Sequence, residues 1–106
     1  MSLHTEWTPV ALLSLSEVFE YTLTTFGERQ LLTLKEKITS TEKLLTIFPL
    51  AGKVESDYSN LLGHEYRSVL VIKELKMIYT IDGDRILIEY LKNTRLDDTT
   101  LLLKLL

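Results

Sequence analysis

The sequence predicts an α+β domain with the order βααβββ, a helical hairpin packed on a small antiparallel sheet. Three observations carry that prediction. Two apolar stripes at helical spacing are separated by a single glycine, three short Val/Ile/Leu/Tyr-rich segments follow one another with tight turns between them, and the connections are too short for crossover helices. At 106 residues the chain suits one domain over 1–106, large enough to bury a core without disulfides or a metal.

Residues 3–7 read as a short first strand with Leu3, Thr5 and Trp7 on one side. Thr8-Pro9 opens a helix, since threonine caps and proline at the first helical position loses no needed hydrogen bond. Ala11, Leu15, Val18, Phe19, Thr22 and Phe26 then share one helical face, and Gly27 ends the run. Leu31, Leu34, Ile38, Thr41, Leu45 and Phe48 define a second helix that Pro49 stops, with its remaining charges serving solvation. The glycine joint makes the two helices antiparallel. Residues 50–64 read as a loop, long enough at about 15 residues to suggest a functional role. Strands follow at 65–72, 75–81 and 86–92, the last two joined by an Asp82-Gly83 turn, and a short terminal helix capped by an aspartate is predicted from Thr99 to Leu106.

Composition excludes several chemistries. The chain has no cysteine, so disulfides, zinc–thiolate sites and a thiol nucleophile are ruled out, and a reducing cytoplasm suits it. His4 and His64 lie too far apart in sequence to suggest a metal site, and no cofactor is expected. No apolar run approaches the ~18 residues of a membrane span. The net charge of −3 means that any nucleic-acid function must rest on a local basic cluster.

Alternation along the strands, with Ile72 facing Leu75, sorts the meander into two faces. Leu70, Ile72, Leu75, Met77, Tyr79, Ile81, Ile86, Ile88 and Tyr90 form the expected core face. Arg67, Val69, Val71, Lys76, Ile78, Thr80, Leu87, Glu89 and Leu91 form the other. Five aliphatic side chains there, Val69, Val71, Ile78, Leu87 and Leu91, make that face too apolar for water and mark a partner surface. Two coverings fit: a second protein, or the leucine-rich segment from Leu101 to Leu106. Arg67 and Lys76 have an ordinary alternative as sheet cations paired with Glu89. His64-Glu65 is a candidate acid/base pair, and Tyr90 reads as a core tyrosine.

Trp7-Thr8-Pro9 with Ala11, Tyr21, Phe48-Pro49 with Gly52, Tyr66-Arg67, Met77-Ile78-Tyr79, Asp82-Gly83-Asp84 and Thr94-Arg95 occur in an order that resembles RelE/ParE toxins of bacterial type II toxin–antitoxin systems. The resemblance implies a growth-inhibiting, cytoplasmic toxin, associated with plasmid stabilisation and neutralised by a cognate antitoxin that wraps it with a helix or extended segment. RelE-like members cleave mRNA on the ribosome; ParE-like members poison DNA gyrase and are not nucleases. For a nuclease the resemblance assigns the phosphorane-stabilising cations to Arg67 and Lys76, and Lys53 in the loop and Arg95 at the end of the last strand are placed to join them. The segment after Arg95 carries neither the tyrosine nor the histidine that RelE-like members often use for proton transfer, which leans away from cleavage. A family member without activity and an unrelated α+β module that dimerises through its aliphatic face are the alternatives.

Overall fold

The computed structural model describes residues 3–94. In chain order they form β1 (His4–Trp7), α1 (Pro9–Phe26), α2 (Glu28–Ile47), β2 (Lys53–Val54), α3 (Ser56–Leu62), β3 (Arg67–Ile72), β4 (Leu75–Asp82) and β5 (Arg85–Asn93). The α+β class, the hairpin and the meander are as the sequence predicts. The predicted C-terminal helix and Arg95 lie outside the described residues.

Thr8 caps α1 by accepting a hydrogen bond from the Ala11 N–H at 3.1 Å, with Pro9 beginning the helix. Gly27 turns the chain into α2 with φ of 91°, a left-handed value that costs glycine nothing. Ala11 on α1 and Leu34, Ile38 and Leu45 on α2 are buried against the sheet, where they meet Met77, Tyr79, Ile86 and Ile88 in one apolar cluster. Phe26 and Phe48 continue the helical stripes in sequence but sit at the helix ends and stay exposed.

The sheet has five strands in the order β1-β5-β4-β3-β2. It is mixed, because β1 pairs with β5 in parallel, from His4 opposite Arg85 to Trp7 opposite Ile88. Past Trp7 the start of α1 takes over that edge. The Thr8 N–H donates to the Ile88 carbonyl at 3.1 Å, and Ser14 Oγ accepts from the Leu91 N–H at 3.1 Å. A strand edge that would otherwise offer unpaired amides is thus closed by a helix.

Two bulges correct the predicted faces. Leu70 pairs with Lys76 while Ile72 pairs with Leu75, so Val71 is an extra residue in β3. Ile78 pairs with Tyr90 while Tyr79 pairs with Ile88, so Glu89 is an extra residue in β5. Each inserted residue reverses the alternation beyond it. Val69 and Leu91 therefore lie opposite Met77 on the hairpin side, and Val71 packs against the same cluster. Leu70 and Tyr90 move the opposite way. Arg67, opposite Tyr79, and Lys76, opposite Leu70, fall on different faces, contrary to the prediction that they share one.

Residues 50–64 also differ from the predicted loop, since they contain β2 and α3. Tyr58 and Leu62 of α3 pack on Tyr66, Ile78 and Tyr90 and form a second, smaller core on the far side of the sheet. Gly63, left-handed with φ of 84°, ends that helix.

Candidate functional site

The far side of the sheet is set up by an anchor on the near side. The buried Tyr79 hydroxyl donates to the Pro49 carbonyl at 2.7 Å and accepts from the Gly52 N–H at 2.9 Å. Arg67 Nη1 donates to the Gly52 carbonyl at 2.8 Å. A Cβ on Gly52 would stand 2.6 Å from the Tyr79 hydroxyl and 2.7 Å from the Ser68 carbonyl, so only glycine fits. These contacts explain why Phe48-Pro49, Gly52, Arg67 and Tyr79 stand where they do. They bind the chain leaving α2 to the sheet and place the short β2 beside β3, with Lys53 opposite Ser68.

Immediately after β2, Glu55 turns inward. Its carboxylate lies 2.8 Å from Lys76 Nζ and 4.0 Å from Lys53 Nζ, and accepts a hydrogen bond from Ser68 Oγ. Burial pushes the Glu55 carboxyl up, but the hydrogen bonds from Lys76 and Ser68 and the two lysine charges outweigh it, and the group ends below its ordinary value. Beside this cluster is a cavity of about 320 Å³ lined by Lys53, Ser68, Leu70, Lys76, Lys92 and Thr94. Lys76 and Lys92 are directly opposite one another across β4 and β5, and Lys92 is only 6% exposed.

A second concavity, of about 500 Å³, lies on the hairpin side between α1, α2 and the β3–β4 turn. Val18, Tyr21, Phe26, Leu34, Ile72 and Leu75 supply its apolar lining, and polar side chains including Glu17, Lys37 and Glu74 complete the wall. Tyr21 and Phe26 meet edge to face with their centroids 6.2 Å apart, and each is 61% exposed.

Of the predicted cations, Lys53 and Lys76 meet at Glu55. Arg67 is held apart from them by Glu65 at 3.0 Å and by the Gly52 carbonyl. Arg95 lies outside the described residues. The predicted His64-Glu65 pair does not form as a pair, because Glu65 engages Arg67 while the His64 ring lies 4.6 Å from that of Tyr66. Ile78 and Leu91 are 0% and 2% exposed, so they are core rather than partner surface. Val69 and Val71 pack half-buried on the hairpin side, and Leu87 stays half-buried opposite Thr80. Sequence reasoning missed Glu55, Ser68 and Lys92. Lys92 was findable only by knowing of the Glu89 bulge, and nothing local marks Glu55.

No family model and no curated protein matches this sequence. Among solved structures, a chain of the "Chromosomal ParDE TA system from P. aeruginosa" superposes with a TM-score of 0.67. The match covers 87% of this chain and 96% of that one at 18% identity. The chain has a RelE/ParE-like fold.

Proton transfer needs a group poised near neutral pH. Glu55 is held below its ordinary value, which makes it a weak base. Burial pushes Tyr79 up despite the Gly52 hydrogen bond and the nearby Arg67 charge, and its proton is committed to the Pro49 carbonyl. Burial likewise pushes Tyr66 up, helped by the Glu89 charge. Among the described residues, no group of three or more His, Asp or Glu side chains is placed to hold a metal, and no helix is long and apolar enough to cross a membrane.

Proposed function

We propose that this chain is the toxin of a type II toxin–antitoxin pair, acting in the cytoplasm and neutralised by a cognate antitoxin. The observation that carries the reading is the correspondence of nearly the whole fold with a chain of a ParDE system, over 87% of this chain and 96% of that one. The hairpin supports it. An open apolar concavity of about 500 Å³, flanked by two aromatic rings each 61% exposed, suits an amphipathic antitoxin segment laid into a groove.

The reading extends to mechanism. The toxin acts by binding its target, as a gyrase poison would, rather than by cutting RNA. Support comes from the state of the polar groups: Arg67 is spent on backbone carbonyls and Glu65, Lys76 on Glu55, and Tyr66 and Tyr79 are shifted further from neutral pH.

Induction of the chain alone in a bacterial host should arrest growth, and co-expression of the small protein encoded beside it should restore growth. Tyr21→Asp with Phe26→Asp should leave the arrest and abolish the rescue. Normal growth with abundant folded protein would overturn the toxin reading. Rescue unaffected by the double variant would move the antitoxin to another surface.

A further inference from the structure

We propose that the segment from Glu55 to Gly63 is a lid on the far side of the sheet, latched shut by the Glu55 carboxylate. It opens as a unit and uncovers Tyr66, Ile78 and Tyr90 while the hairpin and the rest of the sheet stay folded. The device follows from this chain's own packing and does not depend on the toxin reading.

The first observation is that the segment covers a core of its own. Tyr58 and Leu62 of α3 sit on Tyr66, Ile78 and Tyr90, and this cluster shares no residue with the one beneath the hairpin. The sheet lies between the two, so lifting α3 gives up only the smaller cluster. A helix of seven residues is also far short of the ~12–15 at which an isolated helix holds in water. Its stability is therefore the stability of its seat.

The second observation is how the segment is attached. Before it, Gly52 is pinned by the Tyr79 hydroxyl and Arg67, and β2 is paired with β3. After it, Gly63 turns the chain with φ of 84°, and no heavy atom stands within 4 Å of where a Cβ would be, which leaves an unobstructed pivot. Between these ends, the Glu55 N–H donates to the Tyr66 carbonyl at 2.8 Å, and Ser59 Oγ accepts from the Tyr66 N–H at 2.8 Å. The Glu55 carboxylate alone reaches further, across β3 to β4, accepting from Ser68 Oγ on the way to Lys76 Nζ at 2.8 Å. Both side chains of that ion pair are 17% exposed. Half-covered charges lose solvation while the lid is shut and regain it on opening, so the pair fixes the closed position without barring release. Removing one partner leaves the other uncompensated only in the closed state, which favours opening.

Native-state hydrogen exchange of the full-length chain in low urea, read by NMR, tests the lid. The amides of Ser59, Gly63 and Tyr66 should share one protection factor with a weak urea dependence, at least about tenfold below that of Leu91, whose N–H donates to Ser14 on the hairpin side. Thr8→Ala weakens the hairpin side and should lower protection at Leu91 roughly fivefold while leaving the lid amides unchanged. Glu55→Gln should lower protection of the lid amides on the order of tenfold, Lys76→Met should do the same, and the double variant should go no further than either. Lid amides that share the protection and urea dependence of Leu91, a Thr8→Ala effect equal at both places, or effects of Glu55→Gln and Lys76→Met that add would each overturn the proposal. The comparison within the native chain decides the matter even where a variant fails to fold.

Discussion

On the hairpin side of the sheet, Met77, Tyr79, Ile86 and Ile88 are sealed beneath two long helices. On the opposite side, Ile78 and Tyr90 share their face with Ser68, Lys76, Thr80 and Lys92 beneath a seven-residue helix. The same strands supply both surfaces, yet one is almost wholly apolar and the other mixes tyrosines, lysines and hydroxyls. The difference shows how the fold divides its tasks. Burial of apolar area on the hairpin side provides the stability that lets the far side hold ionised groups at close quarters. Tyr79 is the exception that links them. It lies in the apolar cluster, and its hydroxyl reaches the backbone that positions β2 and hence Lys53 and Glu55.

Substitutions on the hairpin side are the most costly. Ile88→Ala, at a fully buried position, should cost about 2–5 kcal/mol in urea denaturation. Leu70→Ala, at a position 57% exposed on the far side, should stay within about 0.5 kcal/mol of the native chain. Next comes the link. Tyr79→Phe leaves the Gly52 N–H without its partner and should cost about 1–3 kcal/mol, with faster hydrogen exchange at Gly52 reporting the loosened anchor. Thr8→Ala removes the α1 cap and should cost about 1 kcal/mol, without altering hydrogen exchange at Gly52 on the far side.

The smallest effect is a pH dependence confined to the far side. Glu55 has a folded-state pKa below its ordinary value of 4.5. Its stabilising contribution is therefore fully present above that value and is lost as pH falls through the lower folded value. Glu55→Gln should flatten the acid limb of the stability profile in that window and leave stability near neutral pH less salt-dependent. An acid limb unchanged by the substitution would show that other carboxylates govern it.

Much of this was legible in the sequence, for identifiable reasons. The helices declare themselves through period and punctuation: Thr8-Pro9 and Gly27 are unambiguous signals, and Ala11, Leu34, Ile38 and Leu45 are buried as their spacing requires. The strands were legible as strands, but their faces were not. A bulge adds one residue without changing composition, and Val71 and Glu89 carry no signature that separates them from their neighbours. The α3 helix escaped because Ser56, Asp57, Ser59 and Asn60 have turn chemistry, while its stability comes from Tyr58 and Leu62 meeting strands distant in sequence. The candidate site followed suit. Lys53 and Lys76 were identified, but their grouping with Lys92 and Glu55, and the separation of Arg67, depend on long-range register.

The central claim is that the polar groups of this sheet bind and do not cleave. Primer extension on a translated message, taken from cells arrested by the induced chain, tests it most directly. The account predicts no cuts at codon positions and an arrest that persists in Arg67→Ala. Codon-position cuts that disappear in Lys76→Ala would contradict it.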